Sequence, residues 1–309
     1  MKFGVVLVTY NRLDKLKISL ECYEKQTYQP SVMIVVNNNS TDGTNDYLED
    51  WKKKKSTFKK VIINLDKNIG GSGGFYTGFK EILKYNVDYV WVSDDDAFPK
   101  ENAFEIANNF LLDNNNKIIA AICGKVINRN NIDVLHRRRL FKFLNILVQV
   151  FVSKKEYKKE YFKLNLLTYV GSMININSLK KAGLPKKDYF IYCDDTEHSF
   201  RLSKTGDIFC VPNIEIIHDG PLNNGKDGVN WKLYYGVRNG IDFVKSNFDK
   251  PTYFTYRIYF RIKYYGMILL LWPNKIEGFK LVNKSIKDSK IGKTGLDDYY
   301  KPGWKPKNK

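Results

Sequence analysis

Three consecutive carboxylates, Asp94-Asp95-Asp96, close an apolar run, DYVWVS, over residues 88–93. Adjacent carboxylates repel one another, and a cation relieves the repulsion. Alternate residues of an extended chain share a side, so Asp94 and Asp96 can converge on one hard ion. Oxygen ligands of this kind suit Mg²⁺ or Mn²⁺, ions that also bind diphosphates. The plain alternative is an exposed acidic turn. A second acidic group, Asp194-Asp195-Thr196-Glu197, precedes Arg201 at the expected start of a helix. One aspartate there is explained by helix capping. Two suggest a carboxylate presented into a cleft as a general base. His218 follows an apolar strand-like run, and a neutral imidazole at a strand end is a competent ligand for a divalent ion. Asn68-Ile69-Gly70-Gly71-Ser72-Gly73-Gly74-Phe75 clusters its glycines where backbone can approach a ligand, before a helix whose N-terminus favours phosphate. It has neither the Lys-Ser/Thr of a P-loop nor the dinucleotide-binding spacing, so alone it is equally a surface turn.

These groups need a scaffold. Lys2–Thr9 (KFGVVLVT), Ser31–Val36, Phe58–Asn64 and Asp88–Ser93 are apolar, largely β-branched runs that predict buried strands. Helical periodicity follows the first three: over Leu13–Gln26, then up to Trp51, then after the glycines, which are expected to form a loop. Alternating strands and helices predict a parallel α/β sheet with right-handed crossovers. Functional loops of such sheets lie at the carboxyl ends of the strands, where the polar clusters fall. Beyond Pro99, strands are expected over Ile118–Ile127, Tyr169–Asn175 and Phe209–Ile217. A short helix is expected over Ser178–Ala182, with Gly183 as its stop, and another within Tyr189–Gly206. The remainder reads as helical and aromatic-rich.

The chain has 309 residues, with 43% hydrophobic and 27% charged, a globular composition. Lys and Arg number 51 against 33 Asp and Glu, a net charge of +18 that anionic partners feel at a distance. Nucleic acid, a membrane surface and phosphorylated small molecules compete as partners, beside a merely solvated surface. Cys22, Cys123, Cys193 and Cys210 match no zinc or disulfide pattern and are expected as reduced thiols of a cytoplasmic protein. No run approaches about 18 apolar residues, so no membrane-spanning helix is expected, and the N-terminus is too short and strand-like for a signal peptide.

Val8-Thr9-Tyr10-Asn11-Arg12, the Val35–Thr44 turn, Asp94–Asp96 and Asp194–Arg201, in that order across residues 1–240, resemble family 2 glycosyltransferases of the GT-A fold. Asn68–Phe75 together with Tyr234-Tyr235-Gly236-Val237-Arg238-Asn239 resembles the bacterial branch of galactofuranosyl- and rhamnosyltransferases. The resemblance implies a mostly parallel, mixed sheet flanked by helices, with a helical, aromatic-rich region over 241–309. It implies that Thr9 and Asn11 lie beside the nucleotide and that Asp42 holds the same loop. Asn37 stands where the family often has an aspartate contacting the base. An amide oxygen still accepts from a pyrimidine N–H but carries no charge, which leaves uridine and thymidine donors open. Asn68, Gly70, Gly71 and Asp95 join the donor-binding set. Asp94 and Asp96 would bind Mn²⁺ or Mg²⁺, and through it the diphosphate, with His218 completing the shell. Asp195 would be the base, with Asp194 the second choice. Trp91, Trp231 and Tyr235 are candidate sugar-stacking residues, with buried core the plainer reading for each. The implied reaction is inverting transfer of a sugar, galactofuranose favoured over rhamnose, to a glycan or lipid-linked glycan of a cell-surface polysaccharide such as a capsule.

His136–Lys159 and Thr252–Pro273 mix cations with apolar and aromatic residues. Read as basic amphipathic helices, they suit an anionic membrane interface and a peripheral location on the inner face of the cell membrane. Core helices or a subunit interface, and hence a homo-oligomer, are the alternatives. A nucleic-acid-binding protein fits the charge, but no nucleic-acid motif is present and the acidic groups would repel phosphates. A catalytically dead sugar-binding module would not need every one of these positions filled. A nucleotidyltransferase would also use metal-bound carboxylates, and would release pyrophosphate instead of a nucleoside diphosphate.

Overall fold

The computed structural model describes residues 1–220 and 228–307. The first half alternates as expected: β1 (Phe3–Thr9), α1 (Leu13–Glu24), β2 (Val32–Asn37), α2 (Thr44–Lys53), β3 (Lys59–Asn64), α3 (Gly70–Ile82) and β4 (Tyr89–Asp94). There follow β5 (Ala97–Pro99), α4 (Ala103–Asp113), β6 (Ile119–Asn128) and β7 (Asn131–Ile132). Next come β8 (Arg137–Phe143), β9 (Ile146–Phe151), β10 (Phe162–Leu164), β11 (Leu166–Leu167) and β12 (Ser172–Asn175). The chain continues through α5 (Ile176–Ala182), α6 (Asp194–Leu202), β13 (Asp207–His218), α7 (Trp231–Asn247), α8 (Lys250–Leu270) and α9 (Lys275–Lys290).

The main sheet runs β10-β13-β6-β12-β4-β1-β2-β3, with β5 added to β13 and β7 to β6. Strands β1–β4 pair in parallel, whereas β12 is antiparallel to both neighbours, so the sheet is mixed. All residues of β1 and β2 are buried, as continuous apolar runs require when helices cover both faces. Register sets Thr9 beside Asn37, Asn37 beside Asn64, and Val8 beside Asp94. The polar carboxyl ends of four strands are therefore level, along one edge.

Two local expectations are corrected. The glycine run is not a loop ahead of a helix; it is the first turns of α3. Gly70 has φ +79°, and a side chain there would strike the carbonyl of Phe190. A Cβ at Gly74 would lie 2.6 Å from Val8, and one at Gly78 would strike Val6. These glycines chiefly seat α3 tightly on β1; only Gly71 faces open space. The segment His136–Lys159 is not a helix. Its period-2 alternation of Phe141, Phe143, Ile146, Val148 and Val150 makes the β8–β9 hairpin, which forms a second, three-stranded sheet with β11.

Helices α7–α9 close around an aromatic core of Phe190, Tyr234, Tyr235, Phe243, Tyr256 and Phe260. The expected boundary at residue 240 falls inside α7. Among the described residues no helix is long and apolar enough to cross a membrane.

Candidate active site

The site is assembled on the level strand ends. Asp95 turns inward. Its Oδ2 accepts from Thr9 Oγ1 at 2.8 Å and from the Tyr10 amide at 3.4 Å, and its Oδ1 from Arg12 Nη1 at 3.1 Å. Asp95 is 3% exposed and ties β1 to β4. Arg12 Nη1 also reaches Asp96 Oδ2 at 2.6 Å. Arg12, which closes the Val8–Arg12 motif and carries no expected role there, is the cation set against the aspartates. The pairing of β5 with β13 puts His218 beside Ala97, and His218 Nε2 comes within 3.5 Å of Asp96 Oδ1. Burial alone would raise the Asp96 carboxyl, but His218 and Arg12 outweigh it and hold it below its usual value. Asp94 goes the other way. Burial, then the charges of Asp96 and Asp95, push its carboxyl well above the usual range, with Asp194 adding to the effect.

The residues expected beside the nucleotide form a network of side-chain and backbone amides. Asn11, at φ +51°, accepts from the Thr41 amide through Oδ1 at 2.7 Å, and its own amide donates to Ser40 Oγ. Asn37 accepts from the Ser40 amide at 3.0 Å and donates to Asn64 Oδ1 at 3.0 Å, which uses both ends of its side chain. Asp42 accepts from the Leu13 amide at 2.9 Å and from Thr44 Oγ1 at 2.6 Å. Asn68 Oδ1 caps Gly70 N at 2.8 Å. Asn38, absent from the sequence reading, locks this turn: it donates to Asn68 Oδ1 and Gly70 O and accepts from Ile69 N, each at 3.0 Å.

The acidic pair sits at the first turn of α6, behind three non-glycine residues with φ +66°: Phe190, Tyr192 and Cys193. Left-handed backbone at such residues costs on the order of 1–3 kcal/mol each and persists only when the surroundings enforce it. The enforcement comes from α7. Asn239 Nδ2 donates to the carbonyls of Tyr189, Ile191 and Tyr192 at 2.9–3.0 Å. Arg238 Nε holds Asn239 Oδ1 at 2.9 Å, and its Nη2 reaches Tyr189 O at 3.2 Å. The Tyr-Tyr-Gly-Val-Arg-Asn motif is thus the clamp on the loop that aims the acidic pair.

The two aspartates differ. Asp195 is partly exposed, and its Oδ1 accepts from Thr196 N at 2.5 Å and Thr196 Oγ1 at 3.0 Å. Asp194 is buried, and burial, then the charge of Asp195, push its carboxyl up to about 7. A folded value above the unfolded one of about 3.9 stabilises the protein at low pH and loses that contribution as pH rises through 7. With chelator present, Asp194→Asn should therefore be more stable than wild type at pH 8, on the order of 2 kcal/mol, with the gap closing toward pH 4. Thermal melts at the two pH values check this. Equal destabilisation at both would contradict it.

The stacking candidates are not assembled here. Trp91 is fully buried and its indole donates to Tyr23 Oη at 3.1 Å. Tyr235 is fully buried, donating to Tyr300 O at 2.8 Å and accepting from Asp297 N at 3.0 Å. Both are core residues and offer no face to a sugar. Trp231 is half-buried, at the start of α7, and packs against Phe190.

A divalent cation fits this edge. Arg12 touches Asp95 and Asp96, but among the described residues nothing donates a hydrogen bond to Asp94, whose carboxyl is raised by burial and then by the neighbouring carboxylates. Asp94, Asp96 and His218 do not yet converge as a ligand set. The three-residue group whose ligand atoms lie within 4.8 Å of one another is instead Asp133, His136 and His218, among the described residues.

Comparison with known proteins accords with this geometry. The model of "Glycosyl transferase family 2" matches residues 4–182. Galactofuranosyltransferase GlfT1 of Mycobacterium tuberculosis is 26% identical over 65% of this chain and 64% of its own length. The chain thus aligns with just under two thirds of that relative. O-antigen chain rhamnosyltransferase WbaN of Salmonella anatum is 27% identical over 40% of this chain and 36% of its own. In structure, GalNAc-T7 with UDP, GalNAc and Mn²⁺ superposes with TM-score 0.63 at 14% identity, covering 94% of this chain and 56% of that one. S. aureus TarS 1-349 in complex with UDP-GlcNAc gives 0.62 at 16%, covering 94% and 80%. The sheet is that of the GT-A fold, and the chain belongs to glycosyl transferase family 2.

Proposed function

We propose that the protein is a cation-dependent, inverting glycosyltransferase that moves a sugar, galactofuranose favoured, from a nucleoside-diphosphate donor to a hydroxyl of a glycan or lipid-linked glycan. The observation that carries this reading is the meeting of two acidic groups, Asp94–Asp96 and Asp194–Asp195, at one end of a GT-A sheet, where the charge of Asp194 helps raise the carboxyl of Asp94. The galactofuranosyl relative supports the donor sugar, and the rhamnosyl relative keeps dTDP-rhamnose as the second reading.

In this mechanism the nucleoside lies along Thr9, Asn11 and Asn37, with the loop held by Asp42. Asn68 and Gly71 lie at the start of α3, whose amides favour phosphate. Asp94 and Asp96, with His218, would hold Mn²⁺ or Mg²⁺, which supplies Lewis-acid stabilisation of the leaving diphosphate. Asp195 keeps Oδ1 bound to Thr196, which orients the carboxylate toward the acceptor hydroxyl and leaves Oδ2 to take its proton. Asp194 beside it resists a second negative charge. One displacement inverts the anomeric carbon. Analysis of products discriminates the neighbouring chemistry: sugar transfer releases free nucleoside diphosphate, whereas pyrophosphate would mean nucleotidyl transfer.

Membrane contact is part of the same proposal. The tip of the β8–β9 hairpin exposes Phe143 (74%), Leu144 (75%) and Ile146 (59%), and α8, which packs beside β9, exposes Ile262 (67%) and Leu270 (83%). Exposed apolar groups of this extent on a chain of charge +18 suit an anionic bilayer. The protein should pellet with anionic vesicles at low salt and be released at high salt. Recovery in the supernatant under both conditions would contradict peripheral binding.

A further inference from the structure

His218 is shared between two environments. Its Nε2 faces Asp96, while its Nδ1 is buried with no hydrogen-bond partner. Its ring lies edge-on to that of His136, with centroids 5.0 Å apart and planes at 87°. His136 Nε2 is 3.3 Å from Asp133 Oδ2. With His218 these residues are the group whose ligand atoms fall within 4.8 Å. All three side chains are shielded, between 12% and 16% exposed. The donors are themselves held from behind: His136 Nδ1 by Thr168 Oγ1 at 2.8 Å, and Asp133 Oδ1 by the Leu135 amide at 3.0 Å. Such outer contacts orient the ligands of a built metal site.

We propose that Asp133, His136 and His218 form a second cation site, for Zn²⁺, which shares only His218 with the aspartate edge. Two imidazoles and one carboxylate, with a fourth position open, are a zinc-type donor set, richer in nitrogen than two aspartates with one histidine. In a tetrahedral zinc shell ligand atoms sit about 3.4 Å apart, and Asp133 and His136 already stand at 3.3 Å. A neutral imidazole has a single lone pair, so His218 serves one ion at a time. Zinc at the trio therefore removes His218 from the Asp94–Asp96 centre and inhibits. This last consequence rests on the glycosyl-transfer reading; the zinc site does not.

The test is calorimetric titration of the full chain with Zn²⁺ alone, without nucleotide. His136→Ala and His136→Gln should each weaken binding at least 10-fold, and Asp94→Asn should leave it within 3-fold. His136→Gln keeps side-chain bulk and guards against a folding defect in the alanine variant, and thermal melts verify both. Zinc affinity unchanged in both His136 variants, or lost in Asp94→Asn, overturns the site. In a Mn²⁺-supported transfer assay, added Zn²⁺ should inhibit wild type and not His136→Gln; equal inhibition of both would overturn the competition for His218.

Discussion

Asp195→Asn should lower kcat by about 10²–10⁴ and leave the KM for donor unchanged, the range expected when a general base is lost. Asparagine keeps an Oδ1 that accepts from Thr196 N and Oγ1, so the start of α6 and the clamp from Asn239 survive. What is lost is the proton acceptor alone. The proposed donor contacts are on the β1–β4 side of the cleft, away from Asp195, so KM is expected to hold. Asp194→Asn in the same assay separates the pair, because Asp194 is buried and already holds a proton up to about pH 7. Steady-state kinetics with both variants measures this. An Asp195→Asn enzyme within 10-fold of wild type, beside a dead Asp194→Asn, would exchange their roles.

Asp96→Ala should abolish the cation-dependent part of donor binding, weakening it about 10²–10³-fold in Mn²⁺, since a metal clamp on a diphosphate is worth several kcal/mol. The variant should behave in Mn²⁺ as wild type behaves in chelator. The substitution removes a carboxylate that Arg12 and His218 both attend, and leaves Arg12 its second partner, Asp95. The aspartate edge is otherwise short of positive charge, so the folded protein should tolerate the loss. Thermal shift with donor, in Mn²⁺ and in EDTA, reads the effect. A Mn²⁺ response equal to that of wild type would place the cation elsewhere.

Much of the sheet was legible because its signals are local. The buried runs that became β1, β2 and β4 show their hydrophobicity residue by residue, and Asp94 visibly ends one of them. The mixed sheet with flanking helices and an aromatic C-terminal region matches the reading. The failures share a cause: a long-range contact decided the outcome. Gly74 and Gly78 are small because Val8 and Val6 lie beneath them, some seventy residues away in sequence, and nothing local separates that use from ligand approach. The hairpin over 137–151 was missed because its many cations favoured a membrane helix over the period-2 alternation also present. Trp91 and Tyr235, candidate sugar platforms by type with buried core the plainer reading, are core residues whose polar atoms are satisfied by Tyr23, Tyr300 and Asp297. Arg12 and Asn239 were in quoted motifs, but their partners could not be named. The Asp133–His136 pair left only an i, i+3 spacing as its trace, and its third member arrives through the pairing of β13.

The central claim is nucleotide-sugar binding at the acidic strand edge. Calorimetry with UDP- and dTDP-linked sugars, in Mn²⁺ and then in EDTA, tests it most directly. One donor, UDP-galactofuranose first, should bind in Mn²⁺ and lose most of its affinity in EDTA. Folded protein that binds no nucleotide sugar under either condition would contradict the account.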